Sequence, residues 1–312
     1  MERRRLGTSE LMVSELSLGS WRTYERIPHQ AGVAVMRKAR EGGINFLDDA
    51  RYNDETGEAP MKTGYSEVVF GQLFRDAGWD RDEVVIANKL WWEFWPEQNA
   101  AKEIDGSLRR MGLDHIDLAY AERLPSEVSV EQCVEEVGGL IKAGKTRAWG
   151  VLNWAPATIE EAASVAAAMG VPGPCAAQLA YSLVSRSPVE DEEMIKALDT
   201  GHAGVVASYS LAGGALSGKY DDPSATGRIT SHIDGRDYSK ALAAGSQLKA
   251  LASDIGATPA ALAISFVLSN PRVATVLFGA TTAEQVAENA AAVDLRRRLD
   301  AATMERLRAI GS

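Results

Sequence analysis

Short apolar runs alternate along this chain with longer segments in which apolar residues recur every three or four positions. A run of the first kind reads as a buried β-strand, and a segment of the second as an amphipathic helix laid over it. Eight runs can be counted: 16–19, 44–48, 84–89, 117–122, 147–153, 176–181, 204–209 and 273–278. Between them, Val33, Met36 and Ala39, or Val134, Val137, Leu140 and Ile141, mark single helix faces. Ser129-x-x-Gln132 has the form of a capping box, and Thr258-Pro259 sets a capping hydroxyl before proline at the first helical position. Eight such units in 312 residues predict an α/β fold, a (β/α)8 TIM barrel spanning 1–312 as one domain. Residues 1–13 read as a β-hairpin closing the barrel floor, and 300–310 as an extra C-terminal helix.

Three successive runs break the apolar pattern at their ends: 44–47 leads into Asp48, 84–88 into Lys89 and 118–121 into Glu122. A charge at the end of a buried strand is costly unless it is paired or lies in a functional cavity. The C-terminal ends of barrel strands face the catalytic mouth, so two carboxylates and a lysine are expected to meet there. Alone, Asp48 and Lys89 fit a plain ion pair, an acid–base group, or a lysine that forms Schiff bases as in aldolases. Two long polar loops, 52–65 and 217–238, are expected over the same mouth.

Composition narrows the class. The chain is 46% hydrophobic and 24% charged, with no apolar stretch long enough to span a bilayer. Residues 1–7 carry arginines without the apolar stretch of a secretory signal, so cytoplasmic residence is expected. A net charge of −10 argues against nucleic acid as a partner, and a small molecule is expected instead. Cys133 and Cys175 form neither a disulfide framework nor a metal spacing, and no metal site is expected. Arg296–Arg298 reads as a solvated approach to the last helix. Oligomeric state is left open.

Several segments together resemble the aldo-keto reductases: 16–21 (LSLGSW), 43–48 (GINFLD), 107–112 (SLRRMG), 150–154 (GVLNW), 211–220 (LAGGALSGKY), and Gly279-Ala280-Thr281 followed by Gln285, Glu288 and Asn289. The likeness is nearest to the branch that includes potassium-channel β subunits. It implies a nicotinamide cofactor, NADPH, extended across the barrel mouth, and no GxGxxG follows a strand here. By this resemblance Asn153 and Gln178 hold the carboxamide. Leu211, Gly213 and Ser217 lie along the pyrophosphate with Lys219 and Arg228, and Gly279, Thr281, Gln285, Glu288 and Asn289 surround the adenosine. Gly19, Ser20, Trp21 and Asp48, with Ser208, Tyr209 and Ser210, complete the expected cofactor contacts.

The family's catalytic set of Asp, Tyr, Lys and His is matched in part. Asp48 and Lys89 coincide with its Asp and Lys, and an ammonium beside a phenol is expected to lower the phenol's pKa. The tyrosine position is occupied by Asn53, so Tyr52 is the expected proton donor and Tyr65 the alternative. Glu122 replaces the histidine, as in steroid double-bond reductases, where a carboxyl kept protonated by desolvation hydrogen-bonds an enone oxygen. Ser208 stands where the family stacks an aromatic ring on the nicotinamide, leaving Tyr209, Trp21, Trp154 or the run Trp91-Trp92-Glu93-Phe94-Trp95 to supply that face. The same run is expected either to line the pocket for a cyclic or apolar substrate or to pack in the barrel lid. The implied function is NADPH-dependent reduction of a carbonyl or activated C=C bond; the alternative is an NADPH-binding regulatory subunit with little turnover.

Overall fold

The computed structural model describes residues 1–55, 57–222, 224–225, 227–231 and 236–312, with the side chains of Arg228 and Ser231 outside the description. An antiparallel hairpin, β1 (Arg3–Arg5) and β2 (Met12–Ser14), precedes eight strands. These are β3 (Leu16–Gly19), β4 (Phe46–Asp48), β5 (Val85–Leu90), β6 (Leu118–Ala121), β7 (Ala148–Leu152), β8 (Ala176–Ala180), β9 (Gly204–Ser208) and β10 (Val273–Phe278). They pair in parallel in chain order, and β10 closes on β3. With helices between the strands, this is the (β/α)8 barrel that the alternating pattern predicts. The strands are shorter than the apolar runs, and Glu122, Asn153 and Tyr181 fall just beyond strand ends.

Side chains along a strand alternate in direction, and here the alternation separates two cores. Phe46, Val85, Ala87, Leu118, Tyr120, Ala148, Leu152, Ala176 and Val206 point inward and pack with Leu6, Leu11 and Val13. The hairpin and the turn it frames therefore plug the barrel floor. Leu47, Ile86, Leu90, Ala119, Ala121, Trp149, Val151, Ala177 and Leu179 point outward into the core shared with the helices. Asp48 and Lys89 stand in the inward phase of β4 and β5, and Glu122 continues that phase beyond β6, so the three charges share the inward side at adjacent strand ends. At Gly150 the inner wall is so tight that a Cβ would lie 2.6 Å from the Ala176 carbonyl oxygen.

Both helix starts read from the sequence form. Ser129 and Gln132 make the reciprocal capping box of helix 130–142, and the Thr258 hydroxyl accepts from the Ala261 N–H at 3.2 Å. The last helix, Ala301–Ile310, is capped by Asp300 and anchored by fully buried Leu307. Arg296 departs from the expectation of a solvated run. It donates at 2.8 Å to Glu15, a fully buried carboxylate that Arg4 also reaches at 3.0 Å, and so ties the C-terminal region to the floor hairpin. No single helix among the described residues is long and apolar enough to cross a membrane.

Candidate functional site

At the C-terminal ends of the strands, Lys89 Nζ donates to Asp48 Oδ1 at 2.5 Å and to the Asp49 carbonyl at 3.2 Å. From the opposite wall, Gln178 Nε2 on β8 donates to Asp48 Oδ2 at 3.0 Å. All three side chains are buried. Burial lowers the pKa of Lys89 and is the largest single influence, but the charge and hydrogen bond of Asp48 together with the neighbouring Tyr52 and Asp49 outweigh it, and the ammonium is held above its ordinary value. The carboxylate thus receives a donor on each oxygen, and the lysine stays charged.

Tyr52 leads out of β4 into the long loop, and its ring centroid lies 5.7 Å from Lys89 Nζ. Lys89 draws its pKa down as expected, yet burial is the larger influence and Asp48 and Asp49 add to it, so the net direction is upward. That corrects the expectation of a lowered phenol: the ammonium's charge is already answered by Asp48. Tyr65 begins helix 65–76 and lines the same cleft. Lys89 acts on Tyr52, which gives that phenol the better claim to the donor position.

Glu122 is half-buried just past β6; its N–H donates to the Leu90 carbonyl at 3.0 Å and its Oε1 accepts from the Arg123 N–H at 2.9 Å. Desolvation raises its pKa above the ordinary carboxylate value despite the opposing Arg123 N–H and the charges of Lys89 and Arg123. Of the histidines, His29 pairs with Asp76 on the outer surface at 2.8 Å and His202 ends the helix before β9, while His232 lies outside the described residues. Trp154 is buried and donates its indole N–H to the Glu122 carbonyl at 2.9 Å, so it braces the strand end and offers no open ring face.

The expected cofactor contacts fall into two groups. On the exposed rim, Asn153 has left-handed backbone (φ 54°) and its N–H donates to the Gln178 carbonyl at 3.0 Å. Tyr209, also left-handed, has its ring 6.4 Å from that of Trp21 and 4.5 Å from the Arg236 guanidinium, and its hydroxyl meets that of Tyr238. Tyr209, one residue beyond Ser208, and Trp21 thus stand together as an aromatic pair. After β9 the chain folds through three consecutive left-handed residues, Ala212, Gly213 and Gly214, and Ser217 Oγ donates to the Gly214 carbonyl at 2.7 Å. Lys219 Nζ lies 4.7 Å from the Tyr220 ring centroid; the Arg228 side chain lies outside the described residues. After β10 and Gly279, the Thr281 N–H donates to Gln285 Oε1 at 2.8 Å, and Glu288 is exposed on the following helix.

The second group is committed within the protein. Gln178 gives an N–H to Asp48, Ser20 is fully buried with its hydroxyl donating to Asp49, and Ser210 is buried with its hydroxyl 3.5 Å from the Leu277 carbonyl. Gly19 faces Leu277, whose Cδ1 would lie 3.2 Å from an added Cβ, and Asn289 is buried. The Leu211 carbonyl accepts from the Gly214 and Leu216 N–H groups. The rim set still fits a nicotinamide dinucleotide: an exposed amide, a tight glycine turn, a serine hydroxyl, and the cations Lys219 and Arg236 suit a carboxamide and phosphates.

Beside Tyr52 lies a cleft lined by Trp21, Tyr65, Trp91 and Arg51. Ion pairs edge it, Arg22 with Glu55 at 2.6 Å and Arg51 with Glu93 at 2.6 Å. Of the aromatic run only Trp91 faces this cleft; Trp92 is buried against Trp95 at 5.9 Å, and Phe94 is exposed. The run is thus split between pocket wall and lid packing, and the cleft is aromatic with a charged edge. Arg51 and the buried Asp49 were not marked by the sequence, since each looks like an ordinary loop or strand-end charge.

Comparison with known proteins agrees with this geometry. The Aldo/keto reductase family model matches residues 15–312. A protein of Oryza sativa subsp. japonica named "Probable voltage-gated potassium channel subunit beta" is 31% identical, over 99% of this chain and 96% of its own length. One of the same name from Arabidopsis thaliana is 30% identical, over 95% of this chain and 92% of its own.

Proposed function

The chain belongs to the aldo/keto reductase family, and on that premise we propose that it is an NADPH-dependent reductase of a carbonyl or an activated C=C bond in a small substrate. The observation that carries this reading is the Lys89 ammonium, bonded to Asp48 at 2.5 Å and turned toward Tyr52 at the mouth of the cleft. When bound, the nicotinamide supplies the hydride. Asn153 would orient the carboxamide, the Trp21 and Tyr209 rings would cover the nicotinamide, and Lys219 and Arg236 would answer the pyrophosphate, while the choice of NADPH over NADH rests on the family resemblance. Tyr52 donates its proton to the substrate oxygen as negative charge develops there, and Lys89 stabilises the phenolate left behind. Glu122, in its protonated form, donates a second hydrogen bond to the same oxygen and so suits an enone. Cytoplasmic residence and a small-molecule substrate belong to the same proposal.

Cofactor oxidation measured against paired saturated ketones and α,β-unsaturated ketones tests the reading. Turnover of either series supports it, and preference for the unsaturated member assigns Glu122 its acid role. A second reading draws on the relatives' printed names: a nucleotide-sensing subunit of a membrane channel, with little turnover. Tight NADPH binding without oxidation across the whole panel favours that reading over the first.

A further inference from the structure

Beneath the Asp48–Lys89 pair lies a third carboxyl that the proposed chemistry does not use. Asp49 is fully buried. Its main-chain carbonyl accepts from Lys89 Nζ at 3.2 Å, its Oδ1 accepts from the Ser20 hydroxyl, and its Oδ2 has no hydrogen-bond partner among the described residues. The groups facing it can be counted element by element. The end of β3 presents neutral Ser20, and the turn 24–26 presents the buried Tyr24 phenol, whose oxygen also has no partner. Helix 65–76 presents Glu67, β5 presents Lys89, and the loop after β4 presents the Ala50 N–H and the Tyr52 phenol. Each cation here is already matched: Lys89 by Asp48 at 2.5 Å, and Arg110 by Glu67, which also accepts from Asn88 at 2.9 Å. No cation among the described residues lies within ion-pairing distance of the Asp49 side chain. A buried carboxylate with no counter-ion takes up a proton rather than bear the desolvation cost.

Resting on the reductase reading above, we propose that Asp49 is kept as a neutral carboxylic acid under the Asp48–Lys89 pair and acts as a positioning residue, its neutrality leaving Lys89 a cation answered by Asp48 alone. The proton resides on Oδ2, because Oδ1 is occupied by Ser20. Burial first, and the neighbouring Glu67 second, raise the Asp49 pKa well above the ordinary carboxylate value. Ionised, Asp49 would add negative charge beside Tyr52 and tighten the phenol's hold on its proton. Reduction then slows as Asp49 titrates.

Asp49→Asn tests this with two independent readouts. An acid whose folded-state pKa is raised holds its proton in the folded state across the interval from its ordinary value to the raised one, so wild-type stability falls as pH rises through that interval. The variant lacks this fall, and its melting temperature relative to wild type is expected to climb with pH; a constant difference overturns the proposal. This readout needs no substrate and stands even if the reductase reading fails. In turnover, the ratio of kcat at high pH to kcat at neutral pH is expected to rise at least about threefold in the variant, and superimposable pH profiles overturn the positioning role. Should Asp49→Asn not fold, Asp49→Thr carries both measurements, and the wild type is expected to show an infrared band of a protonated carboxyl that disappears in that variant.

Discussion

Gln178 reaches across the barrel to donate to Asp48 Oδ2 at 3.0 Å while Lys89 holds Oδ1 at 2.5 Å. An amide expected to meet a carboxamide is instead half spent on fixing a carboxylate. With a donor on each oxygen, Asp48 is needed as an ion that only accepts. In Asp48→Asn the amide nitrogen would face one of those donors, and Lys89 would lose its counter-ion in a buried site. We expect the variant to be destabilised by about 3 kcal/mol in chemical denaturation. Its kcat is expected to fall at least about 100-fold.

The choice between the two tyrosines follows from the Tyr52 ring, whose centroid lies 5.7 Å from the Lys89 ammonium. Tyr52→Phe removes the group on which Lys89 acts, and kcat is expected to drop by about 100-fold or more with KM nearly unchanged. Tyr65→Phe touches only the cleft wall and is expected to alter KM more than kcat. Steady-state kinetics of both variants, with the opposite ranking, would transfer the donor role to Tyr65.

Glu122 titrates upward because it is desolvated. The linkage has a definite sign: the folded state keeps the proton above the ordinary glutamate pKa, so stability declines as pH rises from that value to the raised one. Glu122→Gln removes the decline, and its melting temperature relative to wild type should increase with pH over that interval. If enone reduction uses the protonated acid, the wild-type rate falls above the raised value, whereas the Gln variant, which still donates a hydrogen bond, shows no such limb. Rates and melting curves measured over one pH series check both statements.

On the proposed reading Lys219 and Arg236 answer the phosphates of the cofactor. Loss of one charge-assisted contact in Lys219→Ala is expected to weaken NADPH binding about tenfold. NADH should suffer a comparable loss, because the pyrophosphate is common to both nucleotides. Fluorescence titration with both nucleotides at low and high salt checks this, and unchanged binding of both would remove Lys219 from the phosphate site.

How much of this was legible in the chain follows from what each signal reports. The inward phase of β4, β5 and the end of β6 was readable because a period of two sets the face of every residue, so Asp48, Lys89 and Glu122 came together as the pattern required. Phe46 and Asp48 share one face; Leu47 between them joins the outer core. What could not be read was the partnering of polar groups across the barrel. Gln178 and Asp48 are separated by 130 positions, and Ser20 and Asp49 by 29, so no local spacing records either bond. Trp91 and Trp92 look alike in sequence, yet one lines the cleft and the other is buried, because adjacent residues of a loop are directed by its turn and not by a repeat. Arg236 sits in the long loop 217–238, which carries no periodic signal, so its approach to Tyr209 has no local record in the chain.

The account stands or falls on where the hydride goes. NADPH deuterated at C4 on one face or the other should be incubated with the wild-type protein and the paired ketone and enone panel, and each product examined by mass spectrometry. Deuterium is predicted in the product from one labelled form and not from the other, at the carbinol carbon of a reduced ketone or the β-carbon of a reduced enone. A protein that binds NADPH tightly yet passes no label to any product would contradict the role assigned to Asp48, Lys89 and Tyr52.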